Sequence, residues 1–111
     1  MFVFNISFMT VRALEARLLE WLRRHTAAIS RQLASGAVSP CIRFVEVAEV
    51  ESDPEYTREA LNLSVQLDFS TLAEARAWGK ENMPILREEL SEAFGEQVMA
   101  FATILAPREQ L

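Results

Sequence analysis

The chain opens on a strict alternation. Phe2, Phe4, Ile6 and Phe8 interleave with Val3, Asn5, Ser7 and Met9. A period of two sends successive side chains to opposite faces, so this stretch predicts a strand with one strongly apolar face. The period then changes. Val11, Leu14, Leu18, Trp21, Leu22, His25, Ile29 and Leu33 recur at three- and four-residue spacing, with Arg and Glu between them. That is the stripe of an amphipathic helix, with Thr10 as its expected cap, Gly36 as its stop and Pro40 preventing continuation. A helix of about 24 residues is long beside the usual 11–12 or so, and Ser30 is the place to expect a bend.

Cys41 to Glu51 reads as a second strand, and Ser52-Asp53-Pro54-Glu55 as turn chemistry. A third strand follows, with Leu61, Leu63, Val65, Leu67 and Phe69 on one face and Asn62, Ser64, Gln66 and Asp68 on the other. The second and third strands pair as a hairpin. Thr71-Leu72-Ala73-Glu74 is a capping box that starts a second helix. That helix is expected to break between Gly79 and Pro84, resume through Leu86, Leu90, Ala93 and Phe94, and stop at Gly95. Gln97 to Ala106 forms a last strand.

The order is β-α-β-β-α-β, which predicts one α+β domain over residues 1–111 of the ferredoxin-like, split βαβ kind. Its four-stranded antiparallel sheet carries both helices on one face. Strands one and three sit centrally. Their apolar residues meet the helices, and Asn5, Ser7, Asn62, Ser64 and Gln66 come to the opposite face, with Arg43 on the neighbouring strand. These are small hydrogen-bonding groups where a freely solvated sheet more often shows Lys, Glu and Thr. The last strand is apolar on both sides, with Val98, Ala100, Ala102 and Ile104 alternating with Met99, Phe101, Thr103 and Leu105. Such a strand suits burial on both faces. Two readings follow: a second copy packs sheet to sheet, as in dimeric α+β barrels, or the polar face stays open.

Composition narrows the chemistry. The 111 residues include one Cys, one His and three Gly, and half are apolar. A lone Cys and a lone His supply neither an internal disulfide nor a paired metal motif, so no metal and no cofactor is expected. Gly36, Gly79 and Gly95 are too isolated for a phosphate loop. The net charge of −5 argues against nucleic acid. Charge is uneven, however: Thr10 to Ala34 holds five Arg against two Glu, and Arg43 to Glu59 two Arg against six acids. No segment reaches the ~18 apolar residues of a membrane span, and the start lacks the basic region of a signal peptide, so the cytoplasm is the expected compartment.

His25 is the weak catalytic candidate, as the one residue of the type that most often serves as a general acid or base; the competing reading is a core-edge histidine bonded through one ring nitrogen. Cys41 reads as a small buried hydrophobe ahead of a nucleophile. Glu88 and Glu92 share one helix face as solvated surface, and Trp21, Trp78 and Tyr56 fall at core or hairpin positions. The polar sheet face remains as the candidate ligand site: Asn5, Ser7, Arg43, Asn62, Ser64 and Gln66.

Several stretches form one ordered pattern. They are Phe4-Asn5-Ile6-Ser7, Glu20-Trp21-Leu22, Ser64-Val65-Gln66, Glu81 to Arg87, Glu89-Leu90, Phe94-Gly95 and Phe101 to Leu105. In order and spacing the chain resembles the small bacterial proteins of domain-of-unknown-function family 4286, found mostly in Bacteroidetes. The resemblance implies a compact α+β domain and brings no established activity or catalytic residue.

Two functions are expected from these readings. The first is a non-enzymatic homodimeric domain that joins through the open sheet face and binds a partner or small ligand on or between its sheets. The second is a small dimeric α+β barrel enzyme, monooxygenase- or isomerase-like, with a pocket that uses His25. The latter rests on fold analogy.

Overall fold

A computed structural model describes residues 1–34 and 42–108. Strand β1 (Phe2–Val11) leads through a turn of 3-10 helix (Arg12–Leu14) into α1 (Glu15–Ala34). Strand β2 (Ile42–Glu46), a single helical turn α2 (Tyr56–Glu59), β3 (Ala60–Phe69), α3 (Leu72–Phe94) and β4 (Met99–Leu105) follow. The sheet order is β2-β3-β1-β4 and every pairing is antiparallel. This is the expected ferredoxin-like arrangement, with β1 and β3 central.

Alternation on the central strands decides the two faces. Phe4, Ile6 and Phe8 of β1 and Leu61 to Phe69 of β3 are buried at every second position, together with Leu18, Trp21 and Leu22 of α1 and Trp78, Leu86 and Leu90 of α3. Cross-strand partners share a face, so Asn5 lies between Gln66 and Thr103, and Ser7 between Ser64 and Phe101, on the outer side.

Four boundaries differ from the sequence expectation. Thr10 stays in β1 instead of capping a helix, and its hydroxyl donates to the Gln97 carbonyl at 2.7 Å. Helix α1 runs through Ser30 without a break. Strand β2 ends at Glu46, because the chain beyond it folds around Arg12. That guanidinium donates to Glu46 at 2.7 Å and to the Thr57 carbonyl at 2.8 Å, which ties the connection to the end of β1. Glu46 and Glu15 together hold Arg12 above its ordinary pKa. The basic and acidic stretches of the sequence thus meet here within one chain. The Gly36 stop, Pro40 and the Cys41 start of β2 lie outside the described residues.

The fourth difference is α3, which continues across Gly79 and Pro84. Proline removes one helical donor, at a cost of about 3 kcal/mol or more in a helix interior. Pro84 and Lys80, the residue whose carbonyl loses its helical donor, both lie on the exposed side of the helix. The buried stripe Ala75, Trp78, Met83, Leu86, Leu90 and Phe94 runs past the proline on both sides and holds the two halves to one core. Gly79 has a packing role instead: a Cβ there would lie 2.4 Å from the Phe4 ring. The ends follow expectation, with the Thr71 hydroxyl accepting from the Glu74 amide at 3.1 Å and Gly95 closing the helix at φ 61°.

Candidate functional site

The outer sheet face gathers five of the six expected residues into one hydrogen-bonded ladder. Arg43 makes a bidentate contact to Asp68, at 2.8 and 2.9 Å, and reaches Gln66 Oε1 at 3.4 Å. Gln66 Nε2 donates to Asn5 Oδ1 at 3.0 Å, and Asn5 Nδ2 donates to Ser7 Oγ at 3.2 Å. Ser7 and Ser64 close the series at 3.5 Å. Asn62 is not part of it. Its amide donates to the Tyr56 hydroxyl at 3.1 Å, a contact that secures α2 to β3.

Chemistry gives this ladder a direction. A guanidinium can only donate, so the Gln66 oxygen must face Arg43 and its nitrogen must face Asn5. The Asn5 oxygen is then the acceptor and its nitrogen the donor to Ser7. Between Ser7 and Ser64 either hydroxyl can donate to the other. One serine hydrogen and the second amide hydrogens of Asn5 and Gln66 are left over as donors, beside unused lone pairs on the serine oxygens. Asp68, only 8% exposed, anchors the charged end. The sequence places it on this face but does not single it out; its signal is the one carboxylate in an otherwise uncharged alternating row, two residues beyond the Gln66 that pairs with Arg43.

Around the ladder the outer face is apolar and open. Met99 is 66% exposed, and Phe101 and Leu105 are each 46% exposed. Within one chain, then, β4 is covered on its helix side only, against the expectation of a strand buried on both faces.

His25 lies in a different layer. It projects from α1 toward α3, stacked on Trp21 with ring centroids 3.8 Å apart. Nδ1 donates to the Trp21 carbonyl at 2.8 Å and Nε2 meets Glu89 Oε2 at 2.7 Å. Both ring nitrogens are thus occupied by contacts within the chain. The fold therefore does not bring His25 together with the ladder residues. Glu89 was missed in the sequence because its partner lies on the other helix. The pair stands between two depressions: a cleft of about 210 Å³ reaching Ala28, Ile29, Trp78 and Asn82, and an open one of about 710 Å³ bordered by Arg24 and Glu92.

Among the described residues no three His, Cys, Asp or Glu side chains gather as a metal site, and no helix is long and apolar enough to cross a membrane. A family model, DUF4286 (domain of unknown function), matches residues 1–107. The chain belongs to the DUF4286 family. No curated protein and no solved structure matches it. The polar ladder of this DUF4286 protein includes Asn5, Ser7, Ser64 and Gln66, which fall within the stretches that carried the resemblance.

Proposed function

We propose that this DUF4286 protein is a non-enzymatic homodimeric binding domain in which two copies meet through their outer sheet faces. A small ligand or partner segment rich in oxygen acceptors is held against the ladder. The observation that carries this reading is the makeup of the face: exposed Met99, Phe101 and Leu105 beside a hydrogen-bonded row whose spare groups include amide and hydroxyl donors. Area supports it as well. Four strands ~4.8 Å apart and up to ten residues long at ~3.4 Å each make a face of roughly 600 Å² in projection. A standard interface removes ~800 Å² of accessible surface per partner, which a corrugated face of this size can supply. His25 stands apart from the ladder, on the helix side of the sheet, and is held by Trp21 and Glu89. A chain with a single Cys also suits the cytoplasm, the compartment that belongs to this proposal.

Solution mass tests it. Light scattering on the pure protein should return twice 12.6 kDa. Phe101→Asp should return the protomer mass with an unchanged far-ultraviolet spectrum, because a charge among the apolar residues that β4 brings to the interface is left desolvated. A wild-type monomer at about 100 μM, a concentration at which micromolar contacts form, overturns the proposal.

A further inference from the structure

We infer that the free edge of β4 pairs with the β4 edge of a second copy, antiparallel about a two-fold axis at Ala102, so that two sheets become one. The edge is a different surface from the outer sheet face, and the joint is independent of the dimer proposed above. The sheet order leaves two edge strands, β2 and β4. An edge presents unpaired N–H and C=O groups at every second residue, and proteins guard it with charge, proline, bulges or short length. Strand β2 is guarded: it has five residues and carries Arg43 and Glu46. Strand β4 is not. Its seven residues include no charge and no proline. Its register with β1 runs one to one from Met99 beside Met9 to Leu105 beside Val3, so no bulge bends it away. Among the described residues, β1 is the only element that hydrogen-bonds its backbone. Ala100, Ala102 and Ile104, which face the helices, remain partly exposed, so that side of the edge is open as well.

The strand also fits its own reverse. With Ala102 on the axis, Phe101 stands opposite Thr103 of the second copy and Met99 opposite its Leu105. These are an aromatic–β-branched pair and an apolar pair, the kinds that stabilise neighbouring strands. Carried past the strand ends, the same register brings Glu96 of each copy toward Arg108 of the other. Both residues are exposed, and neither makes an ion pair among the described residues. This match of charge at both ends selects a second copy over an unrelated strand, and this register over a slipped one. Seven residues a side, against the ~20–30 of a standard interface, make the weaker of the two contacts, so it forms at higher concentration than the sheet-face dimer. Copies joined by both surfaces form a tetramer with two-fold axes.

Disulfide trapping reads the register. In a Cys41→Ser background, Ala102→Cys puts two thiols on the axis, where opposed residues have Cα atoms about 4.5–5.5 Å apart, within disulfide range. Ala100→Cys is the control, since an offset of four residues holds its two copies about 14 Å apart, outside that range. Ala102 shares its face with buried Ile6, so the sheet-face dimer turns it away from the partner and cannot produce the crosslink. At about 1 mM protein under mild oxidation, where millimolar contacts form, Ala102→Cys should crosslink at least about tenfold faster than Ala100→Cys. Similar rates for the two variants, a faster Ala100→Cys, or no crosslink overturns the inference. Should Ala102→Cys not fold, amide exchange of the wild type decides. The alternate β4 amides that β1 leaves free should be protected at that concentration, and exchange as fast as in exposed loops overturns the joint. A sheet-face dimer without the crosslink removes this joint alone, and a protein that is monomeric by light scattering yet crosslinks at Ala102 removes the sheet-face dimer alone.

Discussion

The two faces of this molecule treat their polar groups in opposite ways. On the outer sheet face, Asp68, Arg43, Gln66, Asn5 and Ser7 bond one another in sequence across three strands. In the cleft between α1 and α3, His25 and Glu89 satisfy each other while the buried Trp78 indole has no partner. A sheet brings side chains of neighbouring strands within about 5.5 Å in fixed register, so short amides and hydroxyls link directly. Two helices stand about 8–10 Å apart, so only long side chains bridge them and gaps remain between. The sheet face is therefore internally bonded, and the helix side keeps gaps between its bonded pairs.

The contrast can be broken by mutation. The largest effect belongs to the sheet: Arg43→Met removes the bidentate partner of a buried carboxylate and should cost about 2–3 kcal/mol in urea unfolding. Next is the contact between α3 and β1. Gly79→Ala drives a methyl into the Phe4 ring, and the overpacking cost of ~1–3 kcal/mol should exceed the gain of up to ~1 kcal/mol in helix propensity. A neutral or stabilised variant would show that Phe4 and Trp78 can shift. The smallest effect belongs to the half-exposed pair on the helix side: Glu89→Ala should cost no more than about 1 kcal/mol. A loss at Glu89 equal to that at Arg43 would erase the distinction drawn between the faces.

Much of this was readable from local pattern. The Phe2–Phe8 and Leu61–Phe69 alternations placed Asn5, Ser7, Ser64 and Gln66 on one face because a period of two is a local property of extended backbone. The capping Thr71 and the closing Gly95 were equally local. Where the reading failed, a distant contact had outweighed a local signal. Thr10 bonds a carbonyl 87 residues away instead of capping a helix. Pro84 does not break α3, because buried side chains on both sides of it hold the helix to the sheet. Asn62, on the right face, is drawn to Tyr56 by the short helix that precedes β3.

By itself, then, the sequence determined the elements, their order and the chemistry of each sheet face, all of which follow from period and composition. Tertiary structure alone decided the connections. It set the direction of the ladder from Arg43, the pairing of His25 with Glu89 across 64 residues, and the indole that Phe4 and Phe69 pack without supplying an acceptor. Periodicity tells a side chain which face it joins. Only the packed fold, by bringing remote strands and helices together, tells it which atom it meets there.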